Sequence, residues 1–177
     1  MPSKMHQVVC LLSFPESAWL LYIVAKMIRV ALVEPEIPPN TGNIARLCAA
    51  TGAPLHVIGA TGFRMDDRSL RRAGLDYWDH VSLSRHVDFE SFERSNLDAR
   101  MVLLTTKAEC SYIDWEFTPN DCLVFGRETR GLPDDLLERY QDNCIRIPMP
   151  SGNVRSLNLA TSVGIVLYEA LRQTKSL

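Results

Sequence analysis

The chain has few lysines and none of the spaced motifs that announce several common chemistries. No G-x-x-x-x-G-K-[ST] occurs, which excludes a P-loop, and no G-x-G-x-x-G, which excludes a dinucleotide fingerprint. The histidines His6, His56, His80 and His86 make no H-E-x-x-H or other ligand spacing, so no metal site is expected. Cys10, Cys48, Cys110, Cys122 and Cys144 are odd in number and never spaced C-x-x-C. That argues against a disulfide framework and for reduced thiols in a cytoplasmic protein. A formal net charge of −2 gives no global basic field. Of the 19 basic residues only Lys4, Lys26, Lys107 and Lys175 are lysines. An arginine excess suits bidentate phosphate contacts, although G+C-rich codons produce the same excess.

What is present fits one domain. The 177 residues, 46% of them hydrophobic, are enough for a sizeable core. Residues 1–26 stand apart: VVCLLSFPESAWLLYIVAK is apolar, but Pro15 and Glu16 split it into runs too short to span a bilayer. It imitates a signal peptide without an A-x-A-like cleavage site. Residues 1–26 are therefore expected to be a non-native or disordered extension, with the functional domain over 27–177.

From Met27 onward, β-rich runs alternate with helix-period segments. Strands are expected at 28–33, 55–58, 81–83, 101–105, 123–125 and 144–147. Helices are expected at 41–51, 66–73, 89–94, 134–140 and 157–173. This alternation predicts an α/β fold, a mainly parallel sheet flanked by helices.

Three strand-to-loop segments carry the chemistry, because open α/β sheets bind ligands at the carboxyl ends of their strands. In EPEIPPNTGNIAR (34–46) Pro38 and Pro39 hold the chain extended, and Asn40 or Thr41 is placed to cap the next helix. Asn43 and Arg46, three apart, share a helix face and suit an anion at the helix N-terminus. A capped turn alone would require neither. In GRETRGLP (126–133) Gly126 is expected to let a ligand lie against the backbone, and Gly131 to permit a tight turn. Glu128 lies between Arg127 and Arg130, either in a ligand loop or in a surface ion-pair cluster. In PSGNVRSLNLA (150–160) Ser156 or a neighbour is expected to cap the last helix, with Arg155 and Asn158 in its first turn. Arginine is poorly placed at a positive helix end, which favours an anionic partner for Arg155. Arg68, Arg71 and Arg72 form a basic helix stripe, either a solvated face or a phosphate contact.

Together, EPEIPPNTGNIARLCAATG, DDRSLRRAGLDYW, LLTTK, FGRETRGLP and IRIPM followed by VRSLNLATSVGIVLYEALRQ resemble the SPOUT class of RNA methyltransferases, in its TrmL-like (YibK-like) branch. The resemblance spans nearly all of 27–173. Arg127 departs from it, standing where many relatives carry Pro, and so does Ala160, where Ser is usual. The resemblance implies a C-terminal deep trefoil knot, a homodimer and S-adenosyl-L-methionine as methyl donor. It also implies tRNA as partner, with methylation of the wobble cytidine or uridine 2′-OH in the anticodon loop of leucine tRNAs. By motif match Leu104, Gly126, Ile147 and Ser156 would line the donor pocket. Asn43, Arg46, Glu128 and Asn158 would serve catalysis, and Arg68, Arg71, Arg72, Arg130 and Arg155 would hold RNA.

Relatives are described with the Arg46 equivalent as base. A guanidinium stays protonated up to a pKa of about 12 or above, so Arg46 is better suited to a phosphate and to developing alkoxide charge. A phosphate oxygen, Glu128 or water then takes the proton. Other readings are 2′-O-methylation at another tRNA or rRNA site, and a non-catalytic RNA-binding module. The module would need the arginines but not the donor loops.

Overall fold

A computed structural model describes residues 27–63 and 77–176. The first strand, β1 (Arg29–Val33), is buried along its whole length, as expected of a central parallel strand. Its alternation divides the core. Val30 and Leu32 face α1 (Pro38–Thr51) and α4 (Leu159–Gln173), while Ala31 and Val33 face α2 (Phe89–Ser95) and α3 (Asp134–Arg139). The remaining strands are β2 (Leu55–Ile58), β3 (Leu83–His86), β4 (Arg100–Leu104), β5 (Asp121–Phe125) and β6 (Cys144–Ile145). They form one sheet in the order β3-β2-β1-β5-β4-β6, with every pairing parallel.

Beyond β6 the chain stays enclosed. Thr105 N donates to Ile145 O at 3.0 Å, while Arg146 N donates to Cys110 O and Tyr112 N to Arg146 O, each at 2.9 Å. The chain at 145–146 thus runs between β4 and the loop that follows β4. From there it reaches α4, which packs on α1 through Val163, Val166 and Leu167.

Several expectations are corrected. The strand expected at 81–83 lies at Leu83–His86, because Trp78–His80 forms a 3-10 turn that delays it. Helix α1 begins at Pro38, not Thr41, and its N-cap is Ile37 without a side-chain cap. Asn40 and Thr41 are buried inside its first turn. Proline at the first helical positions loses no helix bond, since those N–H groups have no partner within a helix anyway. Gly52, at φ 72°, ends α1 as expected. Helix α4 begins at Leu159 with Asn158 as its cap, so Arg155 and Ser156 precede it rather than cap it or occupy its first turn. The helix expected at 66–73 lies outside the described residues, as do residues 1–26.

Cys48 and Cys122 are buried in the core, and burial pushes both thiols up to about 12. No described helix is long and apolar enough to cross a membrane.

Candidate active site

Loops at the carboxyl ends of β4, β5 and β6 enclose a cavity of about 540 Å³. Leu104, Leu132, Leu137 and Ile147 give it apolar walls. Gly126, Ser156, Glu128, Asn158, Arg130 and Arg155 also line it. All four residues expected around a donor therefore meet in one cavity. Lys107, which follows β4, lines the cavity too and pairs with Asp134 at the start of α3, at 2.7 Å.

The β5 loop closes on itself. Arg127 N donates to Gly131 O at 3.1 Å and Gly131 N to Arg127 O at 2.9 Å, with Gly131 at φ 74°. Gly126 serves this closure as well as lining the cavity. A Cβ there would lie 2.1 Å from Gly131 C and 2.2 Å from Leu132 N, so the loop's own backbone takes that space.

Among the described residues Glu128 makes no ion pair. Its carboxylate accepts from Glu36 N at 2.9 Å, Ile37 N at 3.2 Å and Asn40 Nδ2 at 3.0 Å. It sits at the N-terminus of α1, where the helix dipole and free N–H groups favour an anion. The start of α1 thus receives a carboxylate from within the chain. Glu36 answers with its own carboxylate, which accepts from Thr129 N at 3.1 Å and from Thr129 Oγ1 at 2.8 Å. Hydrogen bonding from Thr129 holds the Glu36 carboxyl below its ordinary range. Beside this pair, Arg127 Nε donates to Glu34 at 2.6 Å and Arg127 Nη2 reaches the same oxygen. Glu34 is held at φ 49°.

Asn158 links the third segment. Its Oδ1 accepts from Ala160 N at 2.9 Å and Thr161 N at 3.3 Å, capping α4, and its Nδ2 donates to Asn40 Oδ1 at 2.9 Å. Asn40 is the residue that sequence reasoning missed. It is 6% exposed, lines the cavity, and ties Glu128 to Asn158 with both ends of its amide. Its place after two prolines made capping look like a sufficient task. A polar residue that helix periodicity turns inward was the signal available.

Asn43 and Arg46 are exposed on α1 and do not line the cavity. The Arg46 guanidinium lies 5.3 Å from the centre of the Tyr77 ring, and Tyr77 Oη donates to Gly42 O at 2.9 Å. Among the described residues no carboxylate pairs with Arg46, Arg130 or Arg155. Arg68, Arg71 and Arg72 fall outside the described residues.

Comparison with known proteins agrees with this arrangement. Residues 27–168 match the SpoU rRNA Methylase family. A Burkholderia ambifaria protein named tRNA (cytidine(34)-2′-O)-methyltransferase is 50% identical over 150 residues, covering 83% of this chain and 96% of its own. A solved structure described as giving insight into the 2′-OH methylation of C/U34 on tRNA has a TM-score of 0.78 and 46% identity, covering 84% of this chain and 97% of its own. The SpoU methyltransferase AviRb of Streptomyces viridochromogenes, solved with the cofactor AdoMet, has a TM-score of 0.70 at 28% identity, covering 84% of this chain and 61% of its own. Family match, sheet order and the meeting of three motif loops at one cavity agree: the chain belongs to the SpoU methylase family of RNA methyltransferases.

Proposed function

We propose that this protein methylates the ribose 2′-OH of nucleotide 34, cytidine or uridine, in the anticodon loop of tRNA, with leucine isoacceptors as substrates. The observation that carries this reading is the cavity at the ends of β4, β5 and β6, together with Arg130 and Arg155 on its lining, with which no carboxylate among the described residues pairs. The relatives' names support position 34. The resemblance of the three motifs supports the leucine isoacceptors.

The methyl donor is S-adenosyl-L-methionine. The residues present fit it: about 540 Å³ is within the range of small-ligand sites, with apolar walls and few polar groups. Leu104, Leu132, Leu137 and Ile147 would take its adenine, and Gly126 and Ser156 would present backbone and hydroxyl groups to its polar parts. When bound it supplies a sulfonium methyl group, the electrophile of an in-line displacement.

The chain's own task is to place the ribose and stabilise the charge on its oxygen. Arg130 and Arg155 hold RNA phosphates at the mouth, and Arg68, Arg71 and Arg72 extend that contact. Arg46, with Asn43, holds the phosphate beside the reacting ribose and stabilises the developing alkoxide. Glu128, already accepting three hydrogen bonds, and Asn158, already capping α4, act by fixing the loops. The 2′-OH proton is released to water or to an RNA phosphate oxygen.

The working unit we propose is a cytoplasmic homodimer. Residues 151–158 are all exposed, the apolar Val154 and Leu157 among them, and Tyr168 of α4 is exposed as well. The enclosure of 145–146 between β4 and the following loop supports a threaded, knotted C-terminus. Residues 27–177 are the proposed methyltransferase domain, with 1–26 dispensable.

Mass spectrometry of tRNA from a strain lacking this gene tests the proposal. Loss of one 2′-O-methylated nucleotide 34, restored by the gene, is the expected result. Intact nucleotide 34 with loss of another ribose methyl group would move the activity to a different RNA site.

A further inference from the structure

Helix α1 has no cap of its own. Ile37 makes no side-chain cap, and Pro38 and Pro39 offer no N–H. Its start is therefore held from outside, by the β5 loop that also lines the donor cavity. Two carboxylates interlock the segments. Glu128 of the β5 loop takes the backbone N–H groups of Glu36 and Ile37, and Glu36 of the α1 approach takes the backbone and hydroxyl of Thr129. The Glu36 backbone is also backed by the loop after β2. Gly62 N donates to Pro35 O at 3.1 Å, and a Cβ on Gly62 would lie 3.1 Å from Glu36 Cα.

We infer that Glu36 is a positioning residue which, through Thr129, couples occupancy of the donor cavity to the placement of Asn43 and Arg46 on α1. This rests on the methyl transfer proposed above. Ile37 and Asn40 at the start of α1 line the cavity together with Arg127, Glu128, Thr129 and Gly131, while Glu36 does not; the interlock through Glu36 fixes how that start sits against the β5 loop when a donor orders the loop. Arg46 lies nine residues beyond Ile37, about 14 Å along the axis at about 1.5 Å per residue. A tilt of about 5° at Ile37 moves Arg46 by roughly 1 Å, and a misplacement of about 1 Å can lower a rate about a hundredfold. The interlock is thus small in energy but large in leverage.

The test uses the full chain and S-adenosyl-L-methionine. Hydrogen exchange of the α1 amides should slow when the donor is added at saturation. In Glu36→Ala that slowing should disappear, while donor affinity by calorimetry stays within about twofold. Turnover on tRNA at saturating donor should fall at least about tenfold in Glu36→Ala and partly recover in Glu36→Gln, which keeps one acceptor oxygen. Thr129→Val should lose the donor-induced slowing as Glu36→Ala does, and Thr129→Ser, which keeps the hydroxyl, should restore it. Donor-induced slowing that persists in both Glu36→Ala and Thr129→Val overturns the coupling, as does a turnover loss matched by an equal loss of donor affinity. The exchange readout needs no RNA. An unaltered protein that binds donor and shows the coupling but leaves tRNA nucleotide 34 unmethylated would defeat the proposed substrate, not the coupling.

Discussion

Asn158 Nδ2 donates to Asn40 Oδ1 over 2.9 Å, joining the N-termini of two helices whose linked residues are 118 apart in sequence. Asn40 passes the link to Glu128, and Asn158 passes it into the first turn of α4. The three motif loops are therefore one hydrogen-bonded body rather than three neighbours. A network of this kind is strong when every member is satisfied and costly when one is removed.

Asn40→Ala should accordingly do more harm than loss of an exposed cap. It removes one of the two hydrogen bonds to Glu128 Oε1 and the partner of the exposed Asn158 amide, and it empties the place of a side chain that is itself buried. A lost hydrogen bond costs about 0.5–1.5 kcal/mol net, so two cost about 1–3 kcal/mol. The expected result is a lower melting temperature together with weaker donor binding, measured by calorimetry and thermal unfolding. Asn40→Asp should be no better, since it sets one carboxylate against another at Glu128. Unchanged melting and donor affinity in both variants would show that the Asn40 links are incidental.

Gly126→Ala should disrupt the donor cavity by closing space that the β5 loop occupies. The added Cβ would lie 2.1 Å from Gly131 C, and backbone cannot move aside as a flexible side chain can. Donor affinity is expected to fall by at least about tenfold, which is about 1.4 kcal/mol. Gly42→Ala meets nothing within 4 Å and serves as the control. Equal donor binding by the two variants would remove the steric account of Gly126.

The sheet and the identity of the loops were legible in the sequence because both follow from local signals. Alternation of β-rich and helix-period runs marked β1, α1, β2 and β5 to within a few residues. The caps were not legible. Asn40, Thr41 and Ser156 are all sound capping residues, yet the caps are Ile37 and Asn158, because Glu128 of the β5 loop supplies the anion that α1 would otherwise take locally. A contact between residues 91 apart leaves no local trace. Gly126 was singled out for a ligand's close approach; that the loop's own backbone also lies against it was not legible.

His56 gives the fold an acid-sensitive point outside the cavity. Its Nδ1 lies 3.0 Å from His86 Nε2. Burial, then the nearby charges of His86 and Arg29, push it down to about 4 from 6.5, and burial lowers His86 as well. Arg29 is itself paired with Asp98, and Phe92 closes the other side of the histidines. A lowered histidine pKa means that the unfolded chain binds the proton first. The stabilisation is full above about 6.5 and is lost as pH falls toward about 4. At about 1.4 kcal/mol per pKa unit, His56 contributes on the order of 3 kcal/mol to that loss. Urea unfolding across this window should show stability falling with pH, and His56→Gln should flatten the fall. An equally steep fall in His56→Gln would assign the acid sensitivity to other groups.

Arg46 separates RNA placement from donor binding. It is exposed, lies outside the cavity lining and faces the Tyr77 ring rather than a carboxylate. Arg46→Ala should therefore leave donor affinity near that of the unaltered protein while methylation collapses. Arg46→Lys should also be severely impaired, because a point charge cannot reproduce a planar fork on a phosphate. Losing one charge-assisted contact costs about 1.5–3 kcal/mol, or roughly one to two decades in rate. A loss confined to KM would make Arg46 a docking residue for RNA alone. A loss in kcat well beyond two decades would mean that its charge also meets the alkoxide in the transition state. Near-normal turnover of Arg46→Ala on tRNA would move the acceptor site away from this face of α1, leaving the donor cavity where it is.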